Sequence, residues 1–94
     1  MGTAAVKIKV MPESLEIDLE DLKNKLKQLI LDNQGSEKGS EINIQEEPIA
    51  FGLKALIVGF AWQEEISTDE LEKKIQNLEG VSSLDIIDFR RAFG

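Results

Sequence analysis

Leu53-Lys54-Ala55-Leu56-Ile57-Val58-Gly59-Phe60-Ala61-Trp62 is the stretch on which the fold turns. Alternate residues of a strand point to opposite faces, and here both faces are apolar. Leu56, Val58, Phe60 and Trp62 form one set; Leu53, Ala55, Ile57, Gly59 and Ala61 form the other. A strand covered on both sides belongs inside a sheet rather than at its edge. The small residues of the second set point to a face that is closely packed or partly open.

That strand needs neighbours, and three segments supply them. Val6-Lys7-Ile8-Lys9-Val10 alternates strictly, the period-two mark of a half-buried strand, so the sheet has one wet face. Ile42 and Ile44 flank Asn43 in a short second strand, and a fourth runs from about Val81 or Ser83 to Arg90.

Two helices fall between them. Met11-Pro12-Glu13-Ser14 ends the first strand, Asp18 stands at an N-cap, and Glu20 and Asp21 suit the positive end of the helix dipole. Leu19, Leu22, Leu26 and Leu29 form its apolar stripe, ending near Leu31 or Asp32. In the second helix Ser67 and Glu70 have capping-box spacing, and Ile66 and Leu71 that of a hydrophobic staple. Leu71, Ile75 and Leu78 make the stripe, and Gly80 supplies the left-handed cap. Residues 33–40 contain no apolar side chain and read as a mobile connector with no chemistry.

The order strand, helix, strand, strand, helix, strand is two split βαβ units. Right-handed crossovers place strands one and three in the middle. The expected fold is α+β: a ferredoxin-like βαββαβ sandwich, a four-stranded antiparallel sheet with two helices on one face, formed by one domain spanning residues 1–94.

Composition narrows function chiefly by exclusion. The chain has no Cys and no His, which removes disulfides, thiol nucleophiles, zinc ribbons and the commonest general base. No apolar run approaches the roughly 20 residues of a membrane span. A formal net charge of −7 argues against binding phosphate backbones and favours a basic protein partner, though acidity also serves solubility alone. Glu46-Glu47, Glu64-Glu65 and Asp85 with Asp88 read as solvated charge, and Gly52 and Gly59 follow no phosphate-loop spacing. An RNA-recognition sheet lacks its paired aromatics and basic surround. An acylphosphatase-like enzyme lacks a cation in the loop after strand one, because Met11-Pro12-Glu13-Ser14 carries none.

Two segments remain as candidate sites. Pro48 to Lys54 sets Phe51 beside Gly52 where a tight hairpin would more usually carry Asn-Gly or Asp-Gly. Residue chemistry leaves two readings open: Phe51 projects as a binding anchor, or it folds back to close the end of the core. At the other candidate, Arg90 and Arg91 end the last strand of an acidic chain, either as a binding pair or as solvated cations.

Val6–Ser14 (VKIKVMPES), Glu46–Leu56 (EEPIAFGLKAL) and Leu78–Arg91 (LEGVSSLDIIDFRR) together resemble the archaeal elongation factor 1-beta family, guanine nucleotide exchange factors for elongation factor 1-alpha. Eukaryotic relatives carry a similar Phe-Gly-Leu-Lys segment. The resemblance implies a cytoplasmic, monomeric regulator rather than an enzyme. It would bind the GTPase in its GDP-bound and nucleotide-free forms and promote GDP release and GTP loading by stabilising one conformer. It implies no catalytic residue, metal, cofactor, nucleic acid or membrane. It also implies that Phe51, Gly52, Leu53 and Lys54 touch the GTPase. Arg91, with Arg90 beside it, falls about where eukaryotic members carry a Lys directed at the magnesium and phosphate region. A planar guanidinium need not approach such a site as a compact ammonium does. The alternative from another class is a ferredoxin-like regulatory or ligand-binding module that oligomerises.

Overall fold

Each strand of the sheet owes its place to which of its faces can be covered. The computed structural model describes residues 2–33, 35–36 and 41–93, with the backbone alone at 92 and 93. Its elements are β1 (Thr3–Pro12), α1 (Leu19–Asp32), β2 (Asn43–Pro48), a 3-10 turn (Ala50–Gly52), β3 (Lys54–Gln63), α2 (Asp69–Gln76) and β4 (Val81–Phe93). The sheet order is β2-β3-β1-β4, and all three ladders are antiparallel. Strands joined by a crossover are therefore parallel but separated by one strand.

The ferredoxin-like α+β expectation holds, with β1 and β3 central. Val6, Ile8 and Val10 of β1 and Leu56, Val58, Phe60 and Trp62 of β3 lie on the covered face. Leu22, Leu26 and Ile30 of α1 and Leu71 and Ile75 of α2 close over them. Such buried side chains are the main source of stability, and truncating one of them to Ala costs about 2–5 kcal/mol. The apolar stripe of α1 differs slightly from expectation: Ile30 is fully buried, while Leu19 and Leu29 pack at its margin.

Local signals account for most boundaries. The Asp18 carboxylate accepts hydrogen bonds from the Glu20 and Asp21 N–H groups at 3.0 and 3.3 Å, satisfying donors that the helix itself leaves free. Gly80 does not cap α2, which ends at Gln76 with Asn77 as its C-cap; it takes φ 97° in the turn before β4, where its N–H reaches the Glu13 side chain while its carbonyl accepts from the Glu13 N–H. This double tie fastens the start of β4 to the end of β1. The start of α2 departs from a Ser67–Glu70 capping box. Thr68 is the N-cap, the Ser67 hydroxyl accepts from the Asp69 N–H, and the Thr68 hydroxyl donates to Glu72 at 2.8 Å.

The connector after α1 does more than join elements. Asn33 and Ser36 are buried, the Gly35 carbonyl accepts from the Gln63 N–H at 2.8 Å, and Ser36 forms a bridge with Trp62. The physical reason is Trp62 itself, an indole whose face the helices leave for this segment to cover. Residues 34 and 37–40 of the expected connector lie outside the described residues.

Candidate partner-binding site

The β2–β3 hairpin closes on an irregular loop. Pro48 and Lys54 form its last ladder pair, the Ile49 N–H donates to the Leu53 carbonyl at 2.8 Å, and the Leu53 N–H to the Ala50 carbonyl at 3.3 Å. Inside these ties Phe51 adopts φ 61° and ψ 28°, and Gly52 follows with φ 80°. Glycine takes that region freely, whereas an aromatic residue there is strained by roughly 1 kcal/mol or more. Phe51 is nonetheless 92% exposed. No core contact offsets the strain, so the ring does not close the end of the core.

Lys54 leaves the loop on the strand side. Its ammonium lies 3.5 Å from Glu46, whose carboxylate also takes a 2.7 Å hydrogen bond from Lys23 of α1. Lys23 makes a further ion pair with Glu20 at 3.2 Å. The hydrogen bond from Lys23, and then its charge, hold the Glu46 carboxyl below the usual carboxylate range. The same bond, followed by that to Glu20, holds Lys23 above the ordinary lysine value. These ion pairs link α1 to the end of β2 and the start of β3 across the protein surface.

Arg90 and Arg91 end up on different faces. Strand registration sets Arg90 opposite Ala5 and Arg91 opposite Ala4, and Ala4 belongs to the buried face. Arg90 bonds Asp88 at 3.1 Å. Arg91 lies 3.5 Å from Glu64, an ion pair too long to satisfy the buried Oε2 of that carboxylate. Both guanidinium side chains are largely exposed.

The two candidate segments are far apart. Arg91 aligns with Ala4, which aligns in turn with Trp62, eight residues along β3 from Lys54. At about 3.3 Å per residue the separation is about 26 Å, in a molecule whose longest dimension is 42 Å. The structure therefore gathers Phe51, Gly52, Leu53 and Lys54 at one end of the sheet and puts Arg90 and Arg91 at the other.

Residues 5–92 match the family model described as the EF-1 guanine nucleotide exchange domain. The chain belongs to this exchange-domain family. It is 43% identical over 94 residues to elongation factor 1-beta of Methanosarcina barkeri, a match covering 97% of this chain and 99% of that protein. It is also 43% identical to elongation factor 1-beta of Methanothermobacter thermautotrophicus, over 97% of this chain and 98% of the relative. The same identity holds for elongation factor 1-beta of Staphylothermus marinus, over 92% of each.

In this exchange domain the surface around Phe51 includes a residue that sequence reading passed over. Leu15, 66% exposed, lies in the β1–α1 loop, and its Cδ2 is 3.5 Å from where a Cβ on Gly52 would sit. A lone Leu among charged residues carries no periodic signal, so only the tertiary fold reveals it. The open sheet face is also less apolar than its β3 residues imply, because β1 contributes Lys7 and Lys9 and β4 contributes Asp85 and Asp88 in register with them. No helix among the described residues is long and apolar enough to cross a membrane.

Proposed function

We propose that this chain accelerates GDP release from, and GTP loading on, elongation factor 1-alpha. It acts as a cytoplasmic monomer, without nucleic acid, cofactor or bond chemistry of its own. Phe51 and Leu53 anchor the GTPase at one end of the sheet. Arg91, at the other end, competes electrostatically with magnesium for the nucleotide region, with Arg90 in a lesser part; Lys54, paired to Glu46 beside the loop, belongs to the anchoring end.

The observation that carries this reading is Phe51 itself: a strained left-handed backbone holding an almost fully exposed aromatic ring. Strain with no packing return is characteristic of positions kept for binding, and buried aromatic anchors dominate many interfaces. A separation of about 26 Å between the two candidate segments divides the work between them. Holding falls to the Phe51 end and disturbance of the nucleotide to the arginine end, so the GTPase must be engaged over the length of the sheet. Exchange is then a population shift toward a nucleotide-free conformer, driven by differential affinity.

The test is stopped-flow release of labelled GDP from elongation factor 1-alpha of an archaeal relative. Accelerated release by the native chain, lost in Phe51→Ala, supports the reading. No acceleration by the native chain overturns it.

A further inference from the structure

Next to Gly52, the residue after Phe51, lies a cleft of about 210 Å³ whose lining includes Ser14, Leu15, Ile17, Gly52, Leu53 and Lys54. Its volume is several times the roughly 30 Å³ that one water occupies in the liquid. One wall comes from the β1–α1 loop and the other from the β2–β3 loop, two segments about 35 residues apart in sequence. We infer that this cleft receives an apolar side chain projecting from a basic surface of the GTPase, with Leu15 as its outer wall. The inference rests on the partner reading above and extends it. Phe51 is the knob of the interface, and the Leu15 cleft is the hole beside it.

Three observations support that occupant. Single exposed apolar residues are ordinary on protein surfaces, but Leu15 is not single: it stands against Gly52 and shares the cleft wall with Leu53, the residues that follow the exposed Phe51 in the chain. Its loop is also held in place. The Glu13 N–H bonds the Gly80 carbonyl at 2.9 Å, the Ser14 hydroxyl accepts from the Glu16 N–H at 3.2 Å, and Asp18 caps α1. A preformed wall loses little entropy on binding. Finally, Glu13, Glu16 and Asp18 border the Leu15 loop and Glu47 precedes the other, whereas Glu46 and Lys54, the one charged residue among the described residues that line the cleft, offset each other. This acidic frame matches a basic partner surface and opposes an acidic one.

The experiment measures affinity for nucleotide-free elongation factor 1-alpha by titration calorimetry, alongside GDP release. The proteins compared are the native chain, Leu15→Ser, Leu15→Trp, Phe51→Ala and Leu31→Ser. Leu15→Ser removes the wall and Leu15→Trp fills the cleft; both are expected to weaken binding about tenfold. Leu31, exposed on α1 and outside the cleft, serves as the control, and Leu31→Ser is expected to bind as the native chain does. Thermal unfolding verifies that the Leu15 variants stay folded, as a two-thirds exposed position predicts. If Leu15→Ser and Leu15→Trp bind like the native chain while Phe51→Ala weakens, the cleft inference is overturned and the exchange reading stands. If the native chain neither binds nor accelerates release, both fall together.

Discussion

Arg90 and Arg91 are neighbours in sequence but lie on opposite faces of β4, Arg90 bonded to Asp88 and Arg91 ion-paired with Glu64. Strand alternation makes this unavoidable. A single planar partner surface therefore meets one guanidinium head-on and the other only at its edge, and the two cannot substitute for each other. Arg91→Ala is expected to slow exchange about tenfold, equivalent to about 1.4 kcal/mol. Arg90→Ala is expected to change it much less, and Arg91→Lys to recover most of the rate because the charge is kept. Stopped-flow GDP release with the three single variants measures this. Equal losses from Arg90→Ala and Arg91→Ala would show that the faces do not matter.

Phe51 permits binding and backbone strain to be separated. Phe51→Ala and Phe51→Gly both delete the ring, so both are expected to lose about 2 kcal/mol of affinity for the GTPase. Only glycine relieves the left-handed backbone. Phe51→Gly should therefore be more stable than Phe51→Ala by about 1 kcal/mol in chemical denaturation. An alanine variant at least as stable as the glycine variant would mean that the loop does not hold residue 51 at positive φ.

The fold was legible because its signals are local. Alternation in Val6–Val10, apolarity on both faces of β3 and the Asp18 cap each act within a few residues, and each is in place. The hairpin loop could be located for the same reason. The direction of Phe51 could not be read, because it depends on whether another segment offers the ring a place in the core, and among the described residues none does. Leu15 beside Gly52 and Lys23 beside Glu46 are products of topology that no sequence period announces. The opposed faces of Arg90 and Arg91 were readable from strand alternation alone. Their adjacency in sequence suggested a pair instead.

Trp62 makes a long-range contact that a single methyl group probes. Its indole N–H donates to the Ile66 carbonyl at 2.7 Å, its ring meets Phe60 edge-on at 5.8 Å between centroids, and Gly35 packs on its face. A Cβ on Gly35 would lie 2.1 Å from an indole carbon. At a permissive site Gly→Ala raises stability by roughly 0.4–1 kcal/mol, but here the overlap forces movement of a fully buried ring. Gly35→Ala is expected to destabilise the chain by about 2 kcal/mol. Trp62 is the only tryptophan, so its fluorescence during urea unfolding measures the change at the contact itself. A neutral or stabilised variant would refute the packing.

The Lys23–Glu46 pair makes stability depend on pH in a defined direction. Glu46 titrates below its unfolded value, so its contribution is present above about pH 4.3, the ordinary glutamate pKa, and is lost as pH falls through the lower folded value. Lys23 is shifted upward, so its contribution is present below about pH 10.4 and is lost as pH rises through the higher folded value. The contact therefore acts fully across the neutral range and fails at both extremes. Both side chains keep partial exposure, 18% for Lys23 and 32% for Glu46, so the effect is small and weakens with salt. Denaturation midpoints of the native chain and Glu46→Gln should differ at pH 7 and converge as the solution is acidified below about pH 4. A gap that stays constant into strong acid would mean that Glu46 stabilises α1 against β2 by packing rather than by charge.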